Sequence, residues 1–136
     1  MTKQTFSRRH LFGSAAVIGI GGPLLTACGG ESKDEETPSP DPGMQLTSTA
    51  DVPVGGGVIL PEEKVVVTQP TRGKFQGFSA ICTHQSCLVS EVTETIDCAC
   101  HGSKFSLADG SVSQGPATEA LPAVPVTVKG NKILTT

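Results

Sequence analysis

Apolar positions along the chain change their pattern twice. From Leu11 to Ala27 they run almost unbroken. From Gly29 to Gly43 they all but vanish, replaced by charge and by alternating Pro38, Pro40 and Pro42. Beyond about Gln45 they return in short runs broken by turn residues, which predicts β-strands. Gly55-Gly56-Gly57 leads into Val58-Ile59-Leu60. Lys64-Val65-Val66-Val67-Thr68 is a β-branched run that Gln69-Pro70-Thr71-Arg72-Gly73 closes as a turn. Lys74 to Ile81 alternates between apolar and polar. Thr95-Ile96-Asp97 and Lys104-Phe105-Ser106-Leu107 are further strand candidates, and Ala108-Asp109-Gly110 is a turn. Val124 to Val128 and Lys132-Ile133-Leu134 form a closing hairpin about Lys129-Gly130-Asn131. No stretch of this region has a helical period, and none repeats. The expectation is one all-β domain over residues 45–136, built of short antiparallel strands. Its core is mostly aliphatic, because Trp and Tyr are absent and only Phe75, Phe78 and Phe105 fall inside it. So small a core gives limited stability, for which a metal site or a disulfide is the usual supplement.

Residues 1–27 have the build of a signal peptide: a basic start free of acids, an apolar run, then small residues. Ser7-Arg8-Arg9-His10-Leu11-Phe12 is similar to the twin-arginine export signal, with Arg8 and Arg9 as its pair, although Gly13 stands where that pattern often has Lys. The alternative is a retained membrane helix. Seventeen residues from Leu11 to Ala27 fall short of the ~20 a span needs, and five of them are Gly or Pro. Leu25-Thr26-Ala27-Cys28 resembles a bacterial lipobox, which implies lipid on Cys28 and a domain held on the outer face of the cytoplasmic membrane. A free or buried Cys28 that merely ends the apolar run is the plainer alternative. Residues 28–44 then form a leash, too polar and Pro-rich to bury an apolar face.

Charge narrows the partners. Loss of Lys3, Arg8 and Arg9 with the signal leaves seven basic and thirteen acidic residues, a net charge of −6. That argues against nucleic acid. It suits a basic docking face on a partner protein, while a solvated surface is the ordinary meaning of such charge.

With Cys28 set aside, the remaining four cysteines and both histidines beyond His10 fall in two short segments. These are Cys82-Thr83-His84-Gln85-Ser86-Cys87 and Cys98-Ala99-Cys100-His101-Gly102-Ser103. Thiolate with imidazole is the ligand mixture of soft or borderline metals. A structural zinc site would use four of these six and leave two cysteines without a purpose. The doubled motif resembles that of Rieske iron–sulfur proteins, in which a 2Fe-2S cluster has two Cys on one iron and two His on the other. The resemblance implies Cys82 and Cys98 as thiolate ligands and His84 and His101 as imidazole ligands. It also implies a Cys87–Cys100 disulfide clamping two cluster loops, within a Rieske-type β-sandwich or barrel whose cluster subdomain those loops form.

Further roles follow from the same resemblance. Ser103 corresponds to a serine that donates to a cluster sulfur. Phe105 stands where high-potential members carry Tyr, so a lower potential is expected. Pro116, in Gly115-Pro116-Ala117, resembles the proline loop that covers the cluster. Gln85 and Ser86 replace the Leu-Gly pair of respiratory members, which weakens a quinol-docking role. Thirteen residues separate His84 from Cys98, fewer than is common there, so that loop should be trimmed. Two neutral imidazoles in place of two thiolates raise the potential to ~−150 to +300 mV.

The function so implied is an extracytoplasmic one-electron carrier tethered to the membrane surface, serving a redox protein or a membrane respiratory complex, quinol-linked or not. The alternative is a Rieske subunit of a cytochrome bc-type or arsenite oxidase-type enzyme. A structural zinc module ranks third. No catalytic acid, base or nucleophile is read, since both domain histidines are taken.

Overall fold

The computed structural model describes residues 40–136. The signal segment with Arg8 and Arg9, the lipobox Cys28 and most of the leash lie outside the described residues. Ten strands follow in chain order: β1 (Gln45–Ser48), β2 (Gly56–Leu60), β3 (Val65–Thr71), β4 (Lys74–Ser79) and β5 (Glu91–Val92) make the first half. β6 (Thr95–Cys98), β7 (Ser103–Ser106), β8 (Val112–Gln114), β9 (Val126–Lys129) and β10 (Lys132–Thr135) make the second. They form three antiparallel sheets of strand order β1-β10-β9, β2-β3-β4 and β5-β6-β7-β8. No helix occurs among the described residues.

The β-branched run explains the layering. Val65, Val66 and Val67 are all fully buried, as a strand covered on both faces requires. Val65 and Val67 join Leu46, Val52, Val124 and Ile133 in one core. Val66 faces the other way and joins Phe78, Ala80, Ile96 and Phe105 in a second. The sheet of β3 is therefore the middle layer, with the terminal strands on one side and the β5–β8 sheet on the other. Ile96 and Phe105 oppose one another across β6 and β7 and are wholly buried. Each such side chain contributes about 2–3 kcal/mol of apolar burial. Gly57 lets the layers meet: a Cβ there would run into the Val92 side chain of β5 and the Val67 carbonyl of β3.

At the far side, the end of the leash is pinned to β10. The Thr135 hydroxyl donates to the Asp41 carbonyl and accepts the Met44 amide at 2.9 Å. The chain thus joins the domain on the layer opposite the β5–β8 sheet.

Three expectations needed correction. The turn over Gln69–Gly73 is shorter than its residues suggest, since β3 continues to Thr71 and only Arg72-Gly73 turns, with Gly73 at φ +78°. Pro70 is tolerated because the register with β4 slips between Thr68 and Thr71, where no ladder N–H is demanded. The last hairpin begins at Val126, not Val124, which is buried ahead of the strand. The short strands β5 and β8 were not expected at all. The Ala108-Asp109-Gly110 turn is present, with Gly110 at φ +71° and its amide donating to the Ser106 carbonyl at 3.0 Å.

Candidate metal centre

Both motif segments fold as hairpin ends of one design. In the first, residues 82–87, the Cys82 amide donates to the Cys87 carbonyl at 2.7 Å beside an Ile81–Leu88 bridge. In the second, residues 98–103, Cys98 and Ser103 pair as the last rung of β6 and β7. Four residues bulge out between each pair. The Ser86 amide donates to the Cys82 carbonyl at 2.9 Å, and the Gly102 amide to the Cys98 carbonyl at 3.0 Å. Each turn closes on a residue with positive φ, Ser86 at 55° and Gly102 at 83°. The C-x-H and C-x-x-H spacings therefore place the two histidines at successive positions of equivalent turns. The rings meet edge to face, centroids 4.7 Å apart and planes at 80°.

The disulfide joins the turns. Cys87 and Cys100 are bonded, with Cα atoms 6.5 Å apart. That removes both from the pool of thiolate donors and leaves Cys82 and Cys98, free and buried. The Cys98 sulfur lies within 4.8 Å of both disulfide sulfurs. Burial pushes the Cys98 thiol up, and the neighbouring Cys82 thiol adds to this, while the Cys100 and His101 amides pull the other way. A buried thiol resists ionising unless a cation neutralises it.

The residues fit a metal group on an independent count. The Nδ1 atom of His84 is buried and has no hydrogen-bond partner. A buried polar atom left so costs about 1–3 kcal/mol, and a coordinated metal would satisfy it. The other imidazole, His101, is exposed. Two thiols and two imidazoles would equally suit tetrahedral zinc by number alone, so the donor set does not decide between the two groups.

A third segment straps both turns. Ser103 is buried, and its Oγ accepts the Ala117 amide at 3.0 Å, which leaves the hydroxyl proton free to donate elsewhere. Pro116, just before it, is exposed and follows a cis peptide bond. Gln114 Nε2 donates to the Gly102 carbonyl at 3.0 Å, and Thr83 Oγ1 donates to the Glu119 carbonyl at 2.7 Å. Phe105 lies wholly buried under the same sheet, in the core that includes Cys82 and Cys98. Asp97, just before Cys98, pairs across the strands with Lys104 and accepts from Thr95. Burial alone would raise its carboxyl, but those hydrogen bonds and the Lys104 charge outweigh it and hold the group below its usual range.

Sequence reasoning missed Thr83, Gln114 and Ser90 as supports. The one available signal was the polarity of Thr83 between two ligand-type residues. Ser90 and Gln114 look like ordinary surface residues until the strands are assembled.

Residues 44–125 match the Rieske [2Fe-2S] domain. The chain is similar to the cytochrome b6-f complex iron-sulfur subunit of Chlorobaculum tepidum, 37% identical over 95 residues covering 67% of this chain and 51% of that protein. It is also similar to the putative respiratory nitrate reductase subunit Rieske of Haloferax mediterranei, 34% identical over 99 residues, 71% of this chain and 44% of that one. The match thus spans about half the length of these relatives. Among solved structures, the cyanobacterial plasma membrane Rieske protein PetC3 from Synechocystis PCC 6803 superposes with a TM-score of 0.57 at 29% identity. That alignment covers 68% of this chain and 98% of that one. Together with two buried thiols and two apposed imidazoles on paired turns, the match over residues 44–125 leads to one assignment: the chain belongs to the Rieske [2Fe-2S] domain family.

Proposed function

We propose that the protein is an extracytoplasmic one-electron carrier, exported through Arg8 and Arg9 and held at the membrane by lipid on Cys28. In this reading Cys82 and Cys98 bind one iron of a 2Fe-2S cluster, and His84 and His101 bind the other. The bound cluster supplies a site that takes up and returns single electrons. Cys87 and Cys100 fix the distance between the turns. The Ser103 hydroxyl, already accepting from Ala117, directs its proton toward a cluster sulfur. Exposed His101 offers the path to a partner, while His84 sits inward beside the Thr83–Glu119 tie. The observation that carries the reading is the buried, unpartnered Nδ1 of His84 beside a second imidazole and two buried thiols.

The attachment point supports the tether. Asp41 is tied to β10, whose sheet is not the one that carries the β6–β7 turn, so the chain enters the domain on a sheet apart from that turn. Membership of a larger membrane complex is the second reading, favoured by the likeness to a cytochrome b6-f complex subunit.

The experiment is the natively exported protein, analysed for iron and acid-labile sulfide and labelled with palmitate. The proposal expects roughly equal iron and sulfide, an EPR signal on reduction and label lost in Cys28→Ala. Zinc without iron contradicts the cluster. Label retained in the variant contradicts the anchor. Co-purification of a stoichiometric membrane complex would favour the second reading.

A further inference from the structure

Basic charge in the domain is not spread evenly. Residues 40–136 hold nine acidic and six basic side chains, yet four of those six stand at two hairpin tips. Arg72 and Lys74 belong to the tip that joins β3 to β4, and Lys129 and Lys132 to the tip that joins β9 to β10. All four are exposed. The two tips share one end of the domain, because β4 and β9 run side by side in opposite directions. Phe78 bridges Ala123, the Gly77 carbonyl accepts the Val124 amide at 2.9 Å, and a Cβ on Gly77 would strike the Val126 side chain. Followed one way from there, β4 leads back to Lys74 and β9 leads on to Lys129. Followed the other way, β4 leads to Cys82, eight residues from Lys74 and at most about 27 Å away.

The carboxylates do not answer this charge. The ion pair among the described residues is Lys104–Asp97, on β6 and β7. Asp51 and Glu94 come toward this end. Asp51 follows Thr49, whose amide donates to the Asn131 carbonyl at 2.9 Å, and Glu94 lines a surface groove with Pro70. Two carboxylates leave the four cations in surplus. Lys129 and Lys132 also oppose one another directly in the β9–β10 register. Like charges so placed cost the hairpin stability, and an anionic surface would relieve that cost.

We propose that the two tips seat on anionic phospholipid headgroups, with the turn that carries Cys82 held off the surface at the other end of β4. This rests on the tether reading above. Lipid on Cys28 and a leash of residues 28–40 keep the domain within about 45 Å of the bilayer, where a high effective concentration lets a weak attraction suffice. Each basic residue near an anionic surface strengthens binding about fivefold, and salt screens the effect. An acidic protein would offer similar charge, but the bilayer is the anionic surface that the tether already brings close.

The test mixes the full-length, natively exported protein with vesicles of phosphatidylglycerol and phosphatidylcholine, or of phosphatidylcholine alone. An uncharged acetylating reagent labels the lysines, and mass spectrometry reads each site. Lys64 is the internal reference: it is exposed, and its carbonyl accepts the Ala80 amide at 2.8 Å, near the Cys82 turn. The inference expects Lys74, Lys129 and Lys132 to acetylate about threefold or more slowly on the anionic vesicles. Lys64 should be unchanged, and about 0.5 M salt should erase the difference. In the Arg72→Glu/Lys132→Glu variant, checked by circular dichroism for the same fold, Lys74 and Lys129 should lose their protection. Equal rates on both vesicles would overturn the inference and leave the tips to an acidic protein. So would equal protection of Lys64, or protection that survives in the variant. Tip protection without palmitate label on Cys28 would instead sink the tether and leave the lipid-facing surface standing.

Discussion

The two turns share a backbone, but the histidine stands one position later in the second than in the first. In both, the fifth residue donates its amide to the carbonyl of the first and adopts a positive φ. In the first turn the third residue is His84; in the second the third is Cys100 and His101 comes fourth. That shift makes a duplicated scaffold asymmetric. It brings the rings together at 80°, and Cys100 meets Cys87 from the end of the other turn. The support is asymmetric too. The first turn is closed by Ser86, a residue with a Cβ at φ 55°, whereas Gly102 takes the same role at φ 83° without steric cost. The second turn is flanked by Ser103, Phe105, Ser90 and the Asp97–Lys104 pair. A repeated fold thus need not give two equivalent halves; the neighbours that each half acquires set its chemistry.

The comparison can be broken most severely at the thiols. Cys82→Ser and Cys98→Ser should each abolish iron retention, since each turn supplies one sulfur; a variant that keeps full iron would remove that residue from the ligand set. Next is the link between the turns. Cys87→Ser should cost about 3 kcal/mol by the loop-entropy estimate for a crosslink of 13 residues' separation. It should shorten the lifetime of bound iron under chelator more than it moves the potential.

The backbone comparison comes third. Gly102→Ala meets no atom within 4 Å, so its penalty of about 1 kcal/mol is backbone strain alone. Ser86→Gly relieves strain of the same kind and should leave the melting temperature unchanged or raised. Equal losses in both variants would show that the two turns are not built alike. Donors beside the second turn come fourth: Ser103→Ala should lower the midpoint and Phe105→Tyr should increase it, each by about one hydrogen bond's worth, ~0.5–1.5 kcal/mol.

The smallest effect belongs to the half-exposed pair behind Cys98. Asp97→Asn should destabilise the fold by about 0.2–1 kcal/mol at neutral pH, the range for screened ion pairs. Because the folded-state pKa of Asp97 lies below its ordinary value, its contribution exists above the unfolded pKa and fades as pH falls through the folded one. Thermal melts of the two proteins should therefore converge in acid; a constant gap would point to packing as the cause.

Much of this was legible in the residues. Val65 to Val67 announced a strand, the Asp109-Gly110 turn fell where expected, and the spacing of Cys and His located both turns. The misses have physical causes. β5 and β8 span two and three residues, too short for any period to register. Pro70 argued for a turn because a register slip between neighbours cannot be read from one strand. Thr83 reaches Glu119 36 residues away, and Gln114 reaches Gly102 across 12, distances that only the assembled sheets bring together. The export signal and Cys28 stand as expectations, since they lie outside the described residues.

The central claim is an unequal grip on two metal ions by turns of equal backbone. Mössbauer spectroscopy of the oxidised protein, in which both irons are ferric, matured with ⁵⁷Fe, addresses it directly. The account predicts two distinct iron sites in equal amounts, one with sulfur donors and one with nitrogen. A single iron environment, or no iron signal at all, would contradict it.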